Sequence, residues 1–141
     1  LIFGKRLSKS KYLARYQVVD LFLDTRPYNA GTTASDALRM GLPVLTLKGN
    51  SFNSREAASV ISALNLPELI TTTEEEYESL AIKLATHPEK LKIIKDKLTS
   101  NLSTAPLYDT KLFTKNLESA YTMIYERYLQ GLEPDHIYVT H

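Results

Sequence analysis

The sequence predicts an α/β fold: a Rossmann-like parallel sheet flanked by helices. Three observations lead there. Short apolar runs such as Asp20-Leu21-Phe22-Leu23-Asp24 and Pro43-Val44-Leu45-Thr46-Leu47 alternate with segments whose apolar residues recur at helical spacing. That alternation implies strands paired in parallel, with helices crossing over the sheet faces. Gly and Pro punctuate the segments, as at Gly41/Pro43 and Gly131/Pro134. Finally, the turn from Tyr28 to Asp36 joins a strand-like run to a helix-like run through small residues, the usual place for a ligand in an open α/β sheet.

Taken in order, Leu1–Phe3 is expected to be a short strand and Ser8–Val19 a helix, with Tyr12, Leu13, Tyr16 and Val19 on one face. Asp20–Asp24 is read as a buried second strand and Thr32–Met40 as the second helix. Pro43–Leu47 is the third strand, Lys48-Gly49-Asn50-Ser51 a turn, and Ser54–Leu64 a helix with Ala57, Ala58, Ile61 and Leu64 inward. Glu68-Leu69-Ile70 is assigned to a fourth, edge strand. Thr73 and Glu76 stand at capping-box spacing ahead of a helix carrying Tyr77, Leu80, Ala81 and Leu84. His87-Pro88 breaks that helix and starts another with Leu91, Ile94 and Leu98. A polar connection, Ser100–Asp109, leads to the longest helix, Thr110–Gln130, where Phe113, Leu117, Ala120, Tyr121, Ile124 and Tyr128 form an apolar face.

At 141 residues the chain, 1–141, is read as one domain. Apolar content of 43% and charged content of 23% are ordinary for a globular protein. A formal charge of +1 gives no electrostatic reason to expect nucleic acid as a partner. No apolar run is long enough to span a bilayer, so no membrane partner is expected either. The absence of cysteine rules out disulfides and thiolate chemistry and fits a cytoplasmic location. The chain opens on Leu1-Ile2-Phe3, apolar and without Met, which suggests a C-terminal fragment of a longer protein.

The chemistry concentrates at Gly31-Thr32-Thr33-Ala34-Ser35-Asp36. A helix start presents unpaired N–H groups and the positive end of the helix dipole to an anion. The hydroxyls of Thr32 and Thr33 add donors, and Asp36, one turn on, can reach a sugar hydroxyl beside a phosphate. A simple N-cap at Thr32 with a first-turn acid at Asp36 has the same spacing, so both readings stand; the second hydroxyl behind a glycine favours the phosphate. Lys9, Tyr12 and Arg15 recur every three residues, where a ring could stack on a base and the cations reach hydroxyls or a base edge. A solvated basic helix end fits that triple as well. The loops Leu7–Ser10, Gly31–Asp36 and Lys48–Ser54 should rim one crevice. His87, His136 and His141 lack metal-ligand spacing, so no metal site is expected. No catalytic triad or paired-carboxylate arrangement is visible, so no catalytic residue is assigned.

Together, Tyr12-Leu13-Ala14-Arg15, Asp20–Thr25, Pro27–Leu38, Met40–Thr46, Ser54–Ser59, Leu66–Ile70, Leu117–Tyr121 and Pro134-Asp135-His136 resemble the C-terminal catalytic lobe of the O-linked N-acetylglucosamine transferase and SPINDLY family, in its bacterial branch. The resemblance implies a two-lobed GT-B glycosyltransferase whose C-terminal lobe holds the sugar nucleotide. It places Thr32 and Thr33 on the pyrophosphate, Asp36 and Lys9 on the ribose, Arg15 near uracil, and Tyr12 where relatives stack a histidine on the base. The implied donor is UDP-N-acetylglucosamine, with no metal or other cofactor, and the implied acceptor is a protein Ser or Thr hydroxyl. Protein acceptors would be engaged through the other lobe and through preceding helical repeats.

Besides Tyr12, two positions depart from the family pattern. Gly31 stands where many relatives carry His, although the plant SPINDLY branch, whose members resemble GDP-fucose-using fucosyltransferases, also has Gly. Glu56 stands where relatives often carry an apolar residue, and nothing in the sequence accounts for it. Asp36 favours the N-acetylglucosamine branch over the plant branch, where Glu is found. Three functional alternatives therefore follow: the UDP-N-acetylglucosamine lobe, a GDP-fucose lobe, and a degenerate lobe retained for interaction. The helix at 110–132 is expected to pack on the other lobe, and the isolated chain to be inactive and to dimerise through that face.

Overall fold

A computed structural model describes residues 2–139. Its contacts divide the chain into two compact units, Leu1–Ala105 and Pro106–His141. The first unit contains helix α1 (Lys9–Arg15), strand β1 (Phe22–Leu23), α2 (Thr32–Arg39), β2 (Val44–Leu47), α3 (Glu56–Ala63), β3 (Ile70–Thr71), α4 (Glu74–Thr86) and α5 (Pro88–Leu102). The strands form a parallel sheet in the order β1-β2-β3, with Phe22 opposite Val44 and Thr46 opposite Ile70. Helical crossovers between successive parallel strands are what the alternating pattern required.

The core follows from that arrangement. Val44 and Leu45 of β2 are fully buried, as are Ala34, Ala37 and Leu38 of α2 and Ile61 of α3. Small alanines on α2 and α3 let the two helices approach each other and the sheet closely. Leu84 of α4 and Leu98 of α5 belong to the same core. Helix α2 ends at Gly41, whose φ of +80° suits a residue without a Cβ. Helix α4 begins with a complete capping box: Thr73 Oγ1 accepts from Glu76 N–H at 3.2 Å, and Glu76 Oε2 accepts from Thr73 N–H at 3.3 Å.

Several expected boundaries move. Leu1 lies outside the described residues, while Ile2 and Phe3 are exposed and carry no strand. Apolar residues become a strand only where a neighbour supplies a ladder, and β1 pairs with β2 alone among the described strands. The sheet therefore has three described strands rather than four. The first helix stops at Arg15 and tightens into a 3₁₀ turn over Tyr16–Val18. Strand β1 keeps only Phe22 and Leu23 of the expected run, and as an edge strand it leaves Leu23 half exposed. Glu68-Leu69 forms a 3₁₀ turn with Pro67 at its start, because proline presets a helical φ, and the strand slides on to Ile70–Thr71. Helix α3 begins at Glu56 rather than Ser54, whose hydroxyl is used in the preceding turn to accept from Ser51 N–H at 3.0 Å.

The second unit holds a 3₁₀ turn, Pro106–Tyr108, and helix α6 (Thr110–Leu129), close to the expected span. Asp109 caps it by accepting from Leu112 N–H at 2.9 Å. Gly131, at φ +67°, ends it. Arg127 then holds the chain beyond, with Nε donating to Glu133 O at 2.5 Å.

Candidate nucleotide-binding site

The site is built outward from Asp24, at the carboxyl end of β1. Its side chain is nearly buried, with Oδ1 accepting from the N–H groups of Thr25 and Ala30, each at 2.8 Å. Oδ2 accepts from Thr46 Oγ1 of β2 at 2.6 Å. Asp24 thus closes the β1–α2 loop on itself and ties it to the sheet. Asn29, also buried, donates through Nδ2 to Thr25 O at 2.9 Å, while its N–H donates to Asn53 O at 2.9 Å. The Tyr77 hydroxyl from α4 donates to Asp24 O at 2.8 Å. These contacts fix where Gly31 begins α2.

Gly31 is the N-cap of α2 and supplies no side-chain cap. Thr32 and Thr33 are consequently the first helical residues, both exposed, and the simple Thr32 N-cap that the spacing allowed is not what forms. The first helical bond runs from Ser35 N–H to Gly31 O at 3.0 Å, which leaves the amides of Thr32, Thr33 and Ala34 ahead of the ladder. Asp36 falls beyond the first turn, and its carboxylate is drawn to Lys9 Nζ of α1, 2.5 Å away.

Helix α1 lies against the head of α2. Lys9 Nζ is 5.4 Å from the centre of the Tyr12 ring, a cation–π distance. The hydroxyls of Tyr12 and Tyr16 hydrogen-bond to each other, and Tyr16 OH reaches Thr33 O at 3.5 Å. Burial pushes the Tyr16 phenol well above its ordinary pKa, reinforced by the hydrogen bond to Tyr12 and the Asp36 charge. Lys9, Tyr12, Thr33 and Asp36 are thereby joined in one network. Thr32 lies beside it in sequence, with a hydroxyl that has no hydrogen-bond partner among the described residues. Arg15 is turned elsewhere, donating from Nη2 to Lys5 O at 2.9 Å.

The three loops expected at the carboxyl ends of the strands do adjoin. Lys9–Asp36 links the first to the second, and Asn29, two residues ahead of the second, bonds to Asn53 of the third. A cavity of about 800 Å³ opens at the same sheet ends, lined by Arg26, Leu47, Lys48, Ser51, Ser54 and Thr72 among others, but by none of the six predicted residues. Chemistry points to the head of α2, because that is where free amides, hydroxyls and a charged pair converge. Tyr16 and Asp24 were missed by sequence reading, the first taken as an apolar stripe residue and the second as a strand end. The departures from the family pattern at positions 31 and 56 lie against each other: an ideal Cβ on Gly31 would stand 2.6 Å from Glu56 Cδ.

A parallel sheet whose β1–α2 junction offers an anion-ready helix start, backed by a second helix with a cation and aromatic rings, defines an α/β lobe with a candidate anion site at the carboxyl ends of its strands. The chain belongs to glycosyl transferase family 41, whose family model matches residues 1–117. It is 33% identical over 137 residues to a UDP-N-acetylglucosamine–peptide N-acetylglucosaminyltransferase of Caenorhabditis elegans, covering 97% of this chain and 12% of that protein. It is 34% identical over 123 residues to a probable enzyme of the same description, SPINDLY, of Hordeum vulgare, covering 87% of this chain and 13% of that protein. A solved structure of a mutant O-GlcNAc transferase of Thermobaculum terrenum superposes with a TM-score of 0.80 at 34% identity, covering 89% of this chain and 24% of that one. The fold is accordingly that of the C-terminal lobe of a GT-B enzyme, and the chain spans about an eighth of the length of these curated relatives. No described helix is long and apolar enough to cross a membrane.

Proposed function

We propose that this chain is the donor-binding lobe of a protein O-glycosyltransferase that uses UDP-N-acetylglucosamine and transfers the sugar to Ser or Thr hydroxyls. The observation that carries the reading is the head of α2, where exposed Thr32 and Thr33 precede Asp36 and Lys9 reaches across from α1 to pair with it. The names of the relatives supply the donor and the peptide acceptor. In this reading the acceptor hydroxyl loses its proton to a base and its oxygen bonds to the anomeric carbon as the bond to the diphosphate oxygen breaks. The α2 amides and threonine hydroxyls stabilise the negative charge that develops on the leaving diphosphate. Lys9 and Asp36 hold the ribose hydroxyls, with the Tyr12 ring beside the base.

Calorimetric titration of the chain with UDP and GDP tests this. UDP binding in preference to GDP, weakened by Asp36→Ala, is expected. Preference for GDP would shift the donor to GDP-fucose. Failure of every nucleotide to bind at millimolar concentration would overturn the reading in favour of a lobe kept for interaction.

A further inference from the structure

One carboxylate at the head of α2 has no role in this scheme. Glu56 is the first residue of α3, half-buried, and makes no hydrogen bond or ion pair among the described residues. An ideal Cβ on Gly31 would lie 2.6 Å from Glu56 Cδ and 3.1 Å from Oε2, so the carboxylate fills the volume that any side chain at position 31 would need. Gly31 is the N-cap of α2. The Glu56 charge therefore stands against the helix start whose dipole attracts anions. The other acid there, Asp36, is neutralised by Lys9 at 2.5 Å, whereas Glu56 forms no salt bridge among the described residues. Lys48 and Arg55 share a groove with Glu56 but form no salt bridge with it.

We propose that Glu56 is an internal anion at the α2 helix start, which a nucleoside diphosphate must displace to bind and which thereby sets how loosely the diphosphate is held. The inference rests on the nucleotide reading of this site and deepens it. A tethered carboxylate competes for the same positive helix end at high effective concentration. Its charge also repels an incoming phosphate a few ångströms away. Because the carboxylate is the far end of a flexible side chain, moving it aside needs a Glu56 rotamer change rather than a backbone shift.

The test compares the wild-type chain with Glu56→Gln, which keeps volume but removes charge, and Glu56→Ala, which removes both, by calorimetry with UDP and with uridine. Both variants should bind UDP about fivefold or more tightly than wild type at low salt, the gap narrowing as salt rises, while uridine affinity is unchanged. Thermal melts of each variant verify that the fold is retained. Equal or weaker UDP binding by Glu56→Gln would overturn the proposal while leaving the nucleotide reading intact. An equal gain for uridine would also overturn it, since that is a change of shape rather than charge. If neither wild type nor variants bind UDP, the nucleotide reading falls and this inference with it.

Discussion

Replacing Asp24 by Ala should be among the most damaging single changes outside the apolar core. Its carboxylate accepts three hydrogen bonds, from Thr25 N–H, Ala30 N–H and Thr46 Oγ1, at 2.8, 2.8 and 2.6 Å. A hydrogen bond to a charged group contributes about 1.5–3 kcal/mol net, and an orphaned buried donor costs about 1–3 kcal/mol. Asp24 is only 7% exposed, so water cannot readily replace the lost acceptor. Allowing for relaxation of the loop and for non-additivity, Asp24→Ala should lose about 3–4 kcal/mol. Asp24→Asn keeps an oxygen for the two amides and can turn its amide toward the Thr46 hydroxyl, so about 1–2 kcal/mol is expected. Urea denaturation followed by circular dichroism measures both, with stability read from the midpoint and slope. A loss below about 1 kcal/mol for Ala, or an Asn variant as damaged as Ala, would refute the claim that this carboxylate organises the β1–α2 loop.

Tyr77→Phe removes the hydroxyl that donates to Asp24 O at 2.8 Å and should cost about 1 kcal/mol by the same assay. Thr73→Ala removes the N-cap acceptor of Glu76 N–H and should cost about 1 kcal/mol as well. Hydrogen bonds from the Thr72 N–H, the Thr72 hydroxyl and the Thr73 N–H hold the Glu76 carboxyl below its ordinary pKa. A group depressed in the folded state stabilises the fold above its unfolded pKa and loses that contribution as pH falls through the folded value. The stability gap between wild type and Glu76→Gln should therefore be full at neutral pH and close on acidification, as denaturation at a series of pH values will show. Leu38→Ala, at a fully buried position of α2, should cost about 3 kcal/mol in urea denaturation.

Local signals in the sequence translated well into structure. The Thr73–Glu76 capping box, the breaks at Pro88 and Gly131, and the long helix at Thr110 depend on residues only a few positions apart. The strand at Val44–Leu47 was legible because proline and turn residues bracket a β-prone run. Ile2-Phe3 and Glu68-Leu69 misled for one reason: apolar character says nothing about whether a ladder partner exists. The shortened β1 belongs with them, since an edge strand ends where pairing ends. At the candidate site, the position of the anion-ready turn was legible, but its wiring was not. Asp24 meets Thr46 across 22 residues and Tyr77 reaches Asp24 across 53, separations that no motif spacing encodes. Glu56 was visible only as an unexplained acid until the fold set it against Gly31.

The central claim is that the start of α2 receives the diphosphate of a sugar nucleotide. Amide chemical-shift mapping of the chain during UDP titration tests it most directly. The largest shifts are expected at Thr32, Thr33 and Ala34, the amides ahead of the helical ladder, with smaller ones at Lys9 and Asp36. Shifts confined to the cavity around Arg26, Lys48 and Thr72, with α2 unmoved, would contradict it.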